Sequence, residues 1–223
     1  MKRHFDDELK KMKEKLFRMG GLVEDAISDV SAALFERDEK KAEQVIRKDQ
    51  EINIYEIEID ELGHELIALF QPAAVDLRLI TMVLKMTGDL ERIGDQAVNI
   101  AEQARIINQY PPIKPYEDLP HMIESAREMV RRAMHAFITR DVEEARQVLA
   151  MDDVVDQLND KVYEDVQQAV EKRPDLIRAG VSLIMVSHNV ERIGDLATNI
   201  AEDVIYVNQG IDVRHHIRER RPS

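Results

Sequence analysis

Glu91 and Asp95 stand four residues apart, and so do Glu191 and Asp195. Both pairs belong to one phrase, Glu-Arg-Ile-Gly-Asp, found within Asp89 to Glu102 and again within Asn189 to Glu202. On a helix, two carboxylates at this spacing share a face and repel each other by about 0.2–0.5 kcal/mol. One such pair reads most simply as a solvated acidic face, with Arg92 shielding Asp95 from three residues away. A second copy about a hundred residues later marks a duplicated helical unit in which whatever the first pair does, the second repeats. The chemistry open to them is ligation of a cation by oxygen. At about 100° per residue, Glu91, Asp95 and Glu102 fall within about 40° of one another, with Asn99 a little further round. Asn199 and Glu202 complete the same stripe in the second copy.

The elements that carry these acids follow from the apolar residues around them. Leu90, Ile93, Ala97 and Ile100, with Val83 and Met86 before them, lie on a different face, so the acids point away from their helix's core. Asp49 and Asp152 occupy matched places in the preceding helical segments and are followed one turn later by Asn53 and Asp156. Each half thus offers a second helix with oxygen ligands. A hard cation takes about six oxygens, which carboxylates from neighbouring helices plus water can supply to magnesium, manganese or iron. Zinc is less favoured, because the chain has no cysteine and no two histidines paired at the spacing of a zinc-binding helix. Gly94 and Gly194 are mid-helix glycines, each costing about 1 kcal/mol relative to alanine. With Ala97 and Ala101, or Ala197 and Ala201, they form a small-residue seam that lets a second helix and its carboxylates approach.

Proline clusters mark the boundaries. Breaks at Arg37 to Glu39 and at Gln71-Pro72 divide the first half into three helical segments of roughly thirty residues. Arg140-Asp141 and Arg173-Pro174 repeat these divisions, with Asp141 and Glu144 in a capping-box pattern. The match of Arg37-Asp38 to Arg140-Asp141 and of Asp49 to Asp152 is offset three residues further than that of the signatures, which a shorter second connector explains. The sequence therefore predicts an all-α chain, a tandem repeat of two elongated three-helix bundles: residues 1–110, residues 116–210, and a basic tail at 211–223. Helices of this length measure about 45 Å.

The totals exclude other classes. Thirty-one Lys and Arg against 44 Asp and Glu give a formal charge of -13, which disfavours nucleic acid. No stretch has the apolar length of a signal peptide core or a membrane span, so the reading is a cytoplasmic protein. No phosphate loop, dinucleotide fingerprint or paired-histidine zinc helix occurs, leaving catalysis without a seat. Weaker signals remain. Glu61 and His64 have the spacing of one di-iron ligand pair, but a ferritin-like centre needs two. His188 precedes Glu191 by three residues, where the first copy has Gly88, and reads as a surface or pairing histidine. Arg78 and Arg178 read as salt-bridge partners, and the basic run from Arg214 to Arg221 as a solvated tail.

The twin signatures, preceded by Gln71-Pro72 and Asp76-Leu77-Arg78 and continued by Asn99 to Glu102, resemble the PhoU family of phosphate-transport accessory and signalling proteins over nearly the whole chain. That family carries a [Glu/Asp]-x-x-x-Asp motif in each of two three-helix bundles. The resemblance implies a cytoplasmic, homodimeric, non-enzymatic regulator working with the phosphate ABC transporter, through its ATPase subunit, and with a sensor histidine kinase. Membrane association would come only through those partners, and the phosphate regulon would be repressed when phosphate is plentiful. It also implies metal ions on the motif faces. The accessory positions differ between halves, Asn53 standing opposite Asp156 and Glu56 opposite Asn159. Two other functions compete: a di-iron oxidase or iron-storage bundle, and a helical scaffold with acidic faces and no metal.

Overall fold

The computed structural model describes residues 2–113 and 118–210. They form six long helices: α1 (Lys2–Phe35), α2 (Glu39–Phe70), α3 (Ala74–Ile107), α4 (Asp118–Thr139), α5 (Val142–Lys172) and α6 (Ile177–Gln209), with a single 3₁₀ turn at Pro174–Leu176. No strand occurs among the described residues. α1, α2 and α3 pack on one another, as do α4, α5 and α6, so the architecture is two elongated three-helix bundles in tandem. α4 has 22 residues rather than the expected thirty or so. The proposed boundary at 116 and the basic tail from 211 lie outside the described residues.

The breaks are built alike in the two halves. Arg37 and Arg140 both take the left-handed conformation, each with φ of 58°. The aspartate after each caps the next helix: Asp38 accepts from the backbone N–H groups of Lys40 and Lys41, and Asp141 from those of Glu143 and Glu144. A non-glycine residue at positive φ is unfavourable. At Arg37 the guanidinium works against that cost, donating to the Asn108 and Tyr110 carbonyls at 2.5 and 2.8 Å and tying the α1–α2 turn to the end of α3. The expected capping box at Asp141 is half made. Glu144 does not reach back to the cap, because His135 Nδ1 holds its Oε2 at 2.6 Å.

The bundles do not stand apart. α3 runs antiparallel along α6, Lys85 meeting Asp203 at 2.6 Å and the Arg78 guanidinium lying 5.6 Å above the Tyr206 ring. Among the described residues Arg78 is therefore a cation–π partner, where its sequence position suggested a salt bridge. α1 and α4 meet the same way, with Phe17 and Phe137 rings 6.4 Å apart and Met134 filling the space over Gly20. The apolar faces consequently merge into one core. Leu90, Ile93, Ala97, Ile100, Val83 and Met86 are all fully buried in it, as periodicity predicted.

Replacing either cap, Asp38→Ala or Asp141→Ala, is expected to lower the folding free energy by about 1 kcal/mol. Urea unfolding of each variant measures the loss.

Candidate metal site

The glycines decide how near the second ligand helix comes. A Cβ at position 94 would stand 3.0 Å from Ile52 Cδ1 and 3.3 Å from Asp49 Oδ1; at position 194 it would stand 3.4 Å from Val155 Cγ1 and 3.5 Å from Asp152 Oδ1. Ile52 and Val155 are equivalent residues, as are the two aspartates. The same cradle is thus built twice, with an aspartate of α2 or α5 lying against bare backbone of α3 or α6. A β-carbon at position 94 would crowd Ile52 and the Asp49 carboxylate, whereas at position 194 it would make only ordinary contact.

In the first seam, Asp49, Asn53 and Glu56 of α2 face Glu91 and Asp95 of α3. Asp49 Oδ2 accepts from Asn53 Nδ2 at 3.1 Å, while Asp49 Oδ1 and Asn53 Oδ1 are buried with no hydrogen-bond partner. Burial first, and then the charges of Asp95, Glu56 and Asp49, push the Glu91 carboxyl from 4.5 up to about 6. Burial and the Asp95 charge raise Asp49 against the opposing Asn53 hydrogen bond. Glu56 is raised by burial, Asp60 and Asp95.

The second seam sets Asp152, Asp156 and Asn159 of α5 against Glu191 and Asp195 of α6. Asp152 Oδ1 is again buried without a partner. Burial, followed by the charges of Asp156, Asp195, Asp153 and Glu191, pushes Asp152 from 3.8 up to about 6. Asp156 and Asp195 are both raised by burial and then by Glu191. Asn159 Nδ2 donates to Glu191 Oε2 at 3.3 Å, and His188 Nδ1 lies 2.9 Å from the same oxygen. Burial leads in each of these shifts, and the neighbouring carboxylates add to it.

Some expected ligands lie elsewhere. Glu102 is exposed, seven residues beyond Asp95 and about 10 Å further along the helix axis. Asn99 is exposed and Asn199 half-buried, and neither makes a side-chain hydrogen bond among the described residues. Glu202 is half-buried. Arg92 does not shield Asp95; its guanidinium pairs with the buried Asp89 at 3.6 Å. Glu61 and His64 are exposed, and His64 Nδ1 faces the carbonyl of Asp60 on its own helix, so no di-iron pairing is built around them. Glu56, an accessory position by sequence, belongs to the first seam. Its spacing from Asp49 and Asn53, seven and three residues, was the signal that places it on their face.

A matching domain model, the PhoU domain, covers residues 16–104 and 119–204. The chain belongs to the PhoU family. It is 39% identical over 214 residues to the "Phosphate-specific transport system accessory protein PhoU homolog" of Aquifex aeolicus, spanning 96% of this chain and 97% of that one. It is 39% identical to the Pseudomonas putida protein of the same name, over 95% of this chain and 83% of that one. Among solved structures, the crystal structure of PhoU from Pseudomonas aeruginosa matches with a TM-score of 0.90 at 36% identity, covering 93% of this chain and all of that chain. The phosphate transport system regulatory protein PhoU from Streptococcus pneumoniae matches with a TM-score of 0.85 at 27% identity, covering 94% and 99%.

The chemistry of the donor set in each seam suits a hard cation. Each seam offers four carboxylates and no thiolate, with two buried oxygens lacking a donor in the first and one in the second. Among the described residues, no three acidic or histidine side chains converge as a ready-made ligand cage. The donors instead lie in a strip along each pair of helices.

Raised carboxyls in the fold give a sign to the pH dependence. Glu91 and Asp152 hold their protons more tightly folded than unfolded, so their stabilising contribution is full below about pH 4 and is lost as pH rises through about 6. In chelator-treated protein the melting temperature should fall across that window. Asp152→Asn should flatten the fall, as differential scanning fluorimetry against pH would reveal.

Proposed function

We propose that this chain is an accessory regulator of phosphate transport whose twin seams bind divalent or trivalent cations, iron, manganese or magnesium before zinc. In this reading it acts as an adaptor between the ATPase subunit of a phosphate ABC transporter and a sensor histidine kinase, and keeps phosphate-starvation genes repressed when phosphate is plentiful. As a member of the PhoU family it is an accessory and regulatory protein, not an enzyme. The transport role is supported by the names its relatives carry. The cation reading rests on one observation: in both halves an aspartate oxygen, Asp49 Oδ1 or Asp152 Oδ1, is buried against a glycine with no donor to satisfy it.

Asp49, Asn53, Glu56, Glu91 and Asp95 would hold a cation in the first half, and Asp152, Asp156, Glu191 and Asp195 in the second. A hard cation supplies positive charge there and no reaction. Because the acids line a strip rather than a cage, water completes the shell, as magnesium and its relatives favour. Asp49 and Glu91 come from different helices, so satisfying both ties α2 to α3; Asp152 and Glu191 tie α5 to α6 in the same way. The bundle face presented to a partner then has a fixed shape and a reduced negative charge. No helix among the described residues is long and apolar enough to cross a membrane, which suits a cytoplasmic homodimer reaching the membrane through the transporter.

Elemental analysis and a phosphate-starvation reporter together test this reading. Glu91→Ala, Asp95→Ala, Glu191→Ala and Asp195→Ala combined should strip the metal and release the reporter in phosphate-rich medium. Full repression by a folded, metal-free variant would reduce the ions to a structural role and remove them from signalling.

A further inference from the structure

The two seams carry equal numbers of carboxylates, Asp49, Glu56, Glu91 and Asp95 in one and Asp152, Asp156, Glu191 and Asp195 in the other. Their hydrogen bonding is nevertheless different. In the second half a chain of contacts runs from the buried Ser187, whose Oγ donates to Asn159 Oδ1, through Asn159 Nδ2 to Glu191 Oε2, which also faces His188 Nδ1 at 2.9 Å. The Glu191 carboxylate can only accept, so it draws the NH2 group of Asn159 and leaves the amide oxygen to Ser187, whose hydroxyl can donate to it. With the proton on Nδ1, His188 is a second donor to the same oxygen. Glu191 therefore has Oε2 held from two sides and Oε1 left to a ligand.

The first half lacks every link of this chain. Thr87, at the place of Ser187, turns its hydroxyl onto the carbonyl of Val83 at 2.8 Å. Glu56 stands where Asn159 would donate, and Gly88 where His188 would. Glu91 accepts no hydrogen bond among the described residues and faces a carboxylate instead of an amide.

We infer that the seams are unequal cation sites, the second the tighter, and that His188 and Asn159 set the difference by positioning Glu191. This rests on the cation reading above. Charge count does not separate the sites; the cost of ordering the ligand does. A carboxylate already held in place gives up less freedom when it binds, and losing such outer partners typically costs 10–100-fold in metal affinity. His188 is thus a positioning residue, acting on the cation through Glu191.

Manganese titration of the full chain, with free Mn(II) followed by electron paramagnetic resonance, tests the proposal. Glu91→Gln/Asp95→Asn leaves the second seam alone, and Glu191→Gln/Asp195→Asn leaves the first. The chain retaining the second seam should bind manganese about 10–100-fold more tightly. In that background His188→Ala should weaken binding about tenfold, and His188→Gln, which keeps a donor, should restore most of it. A merely structural histidine would not give that order. Gly88→His should conversely tighten the first seam, and the position has room for it: an added Cβ meets nothing nearer than Arg92 Nη2 at 4.0 Å. Equal affinities in the two half-silenced chains, or an alanine variant no weaker than the glutamine one, would overturn the proposal while leaving the cation reading intact. Failure of the unaltered chain to bind manganese, magnesium or iron at all would overturn both.

Discussion

Side-chain packing against the bare backbone at Gly94 and Gly194 is the constraint on which the site depends. Helices normally keep their axes 8–10 Å apart because side chains stand between them. Where α3 and α6 have no β-carbon, Ile52 and Val155 settle into the gap and bring Asp49 and Asp152 with them. The aspartates end up against helix backbone, partly removed from water and beside the acids of the motif. Unfavourable burial and unfavourable charge are thereby concentrated at one point per bundle. A buried oxygen without a donor and the nearness of like charges both count against stability there. Keeping this arrangement twice is consistent with a ligand that supplies the missing charge.

Duplication preserved this core and let the surroundings drift in compensated steps. In the first bundle Asp29 of α1 pairs with Lys41 of α2 at 2.6 Å. At the equivalent places in the second, Arg132 faces Glu144 at 3.7 Å, with the signs of the charges exchanged. Complementarity survives although neither residue does. The seams show a looser version of the same drift: the fourth carboxylate moved from Glu56 to Asp156, while an amide moved from Asn53 to Asn159. Total charge is conserved and its distribution along the helix is not, which is how two copies of one site acquire different ligand environments.

The long contact of α3 with α6 makes the halves one body. Asp89 and Asp203 are each about 2% exposed within it. Burial lifts Asp89 to about 6 despite the nearby Arg92 and Lys85. Lys85 pairs with Asp203 across the interface. The helices that carry the two motifs are therefore packed directly on each other, so a change in the packing of one bundle bears on the other without an intervening linker.

Much of this was legible along the chain. The 3.6-residue period separates the face of Leu90, Ile93 and Ala97 from that of Glu91 and Asp95, because both faces belong to one helix and need only its local geometry. Asp38 and Asp141 announce helix starts for the same reason, since a cap reaches only two or three residues. The duplication, the acid pairs and the candidate glycines were likewise determined by sequence alone. Tertiary structure decided which helix meets which, and in what register. It turned Arg92 toward Asp89 instead of Asp95, laid Arg78 on Tyr206, gave Glu144 to His135, and joined Ser187, Asn159, His188 and Glu191 into one chain of contacts. These pairings depend on crossing angles and axial offsets that result from packing summed over entire helices, and no short-range pattern encodes a sum of that kind.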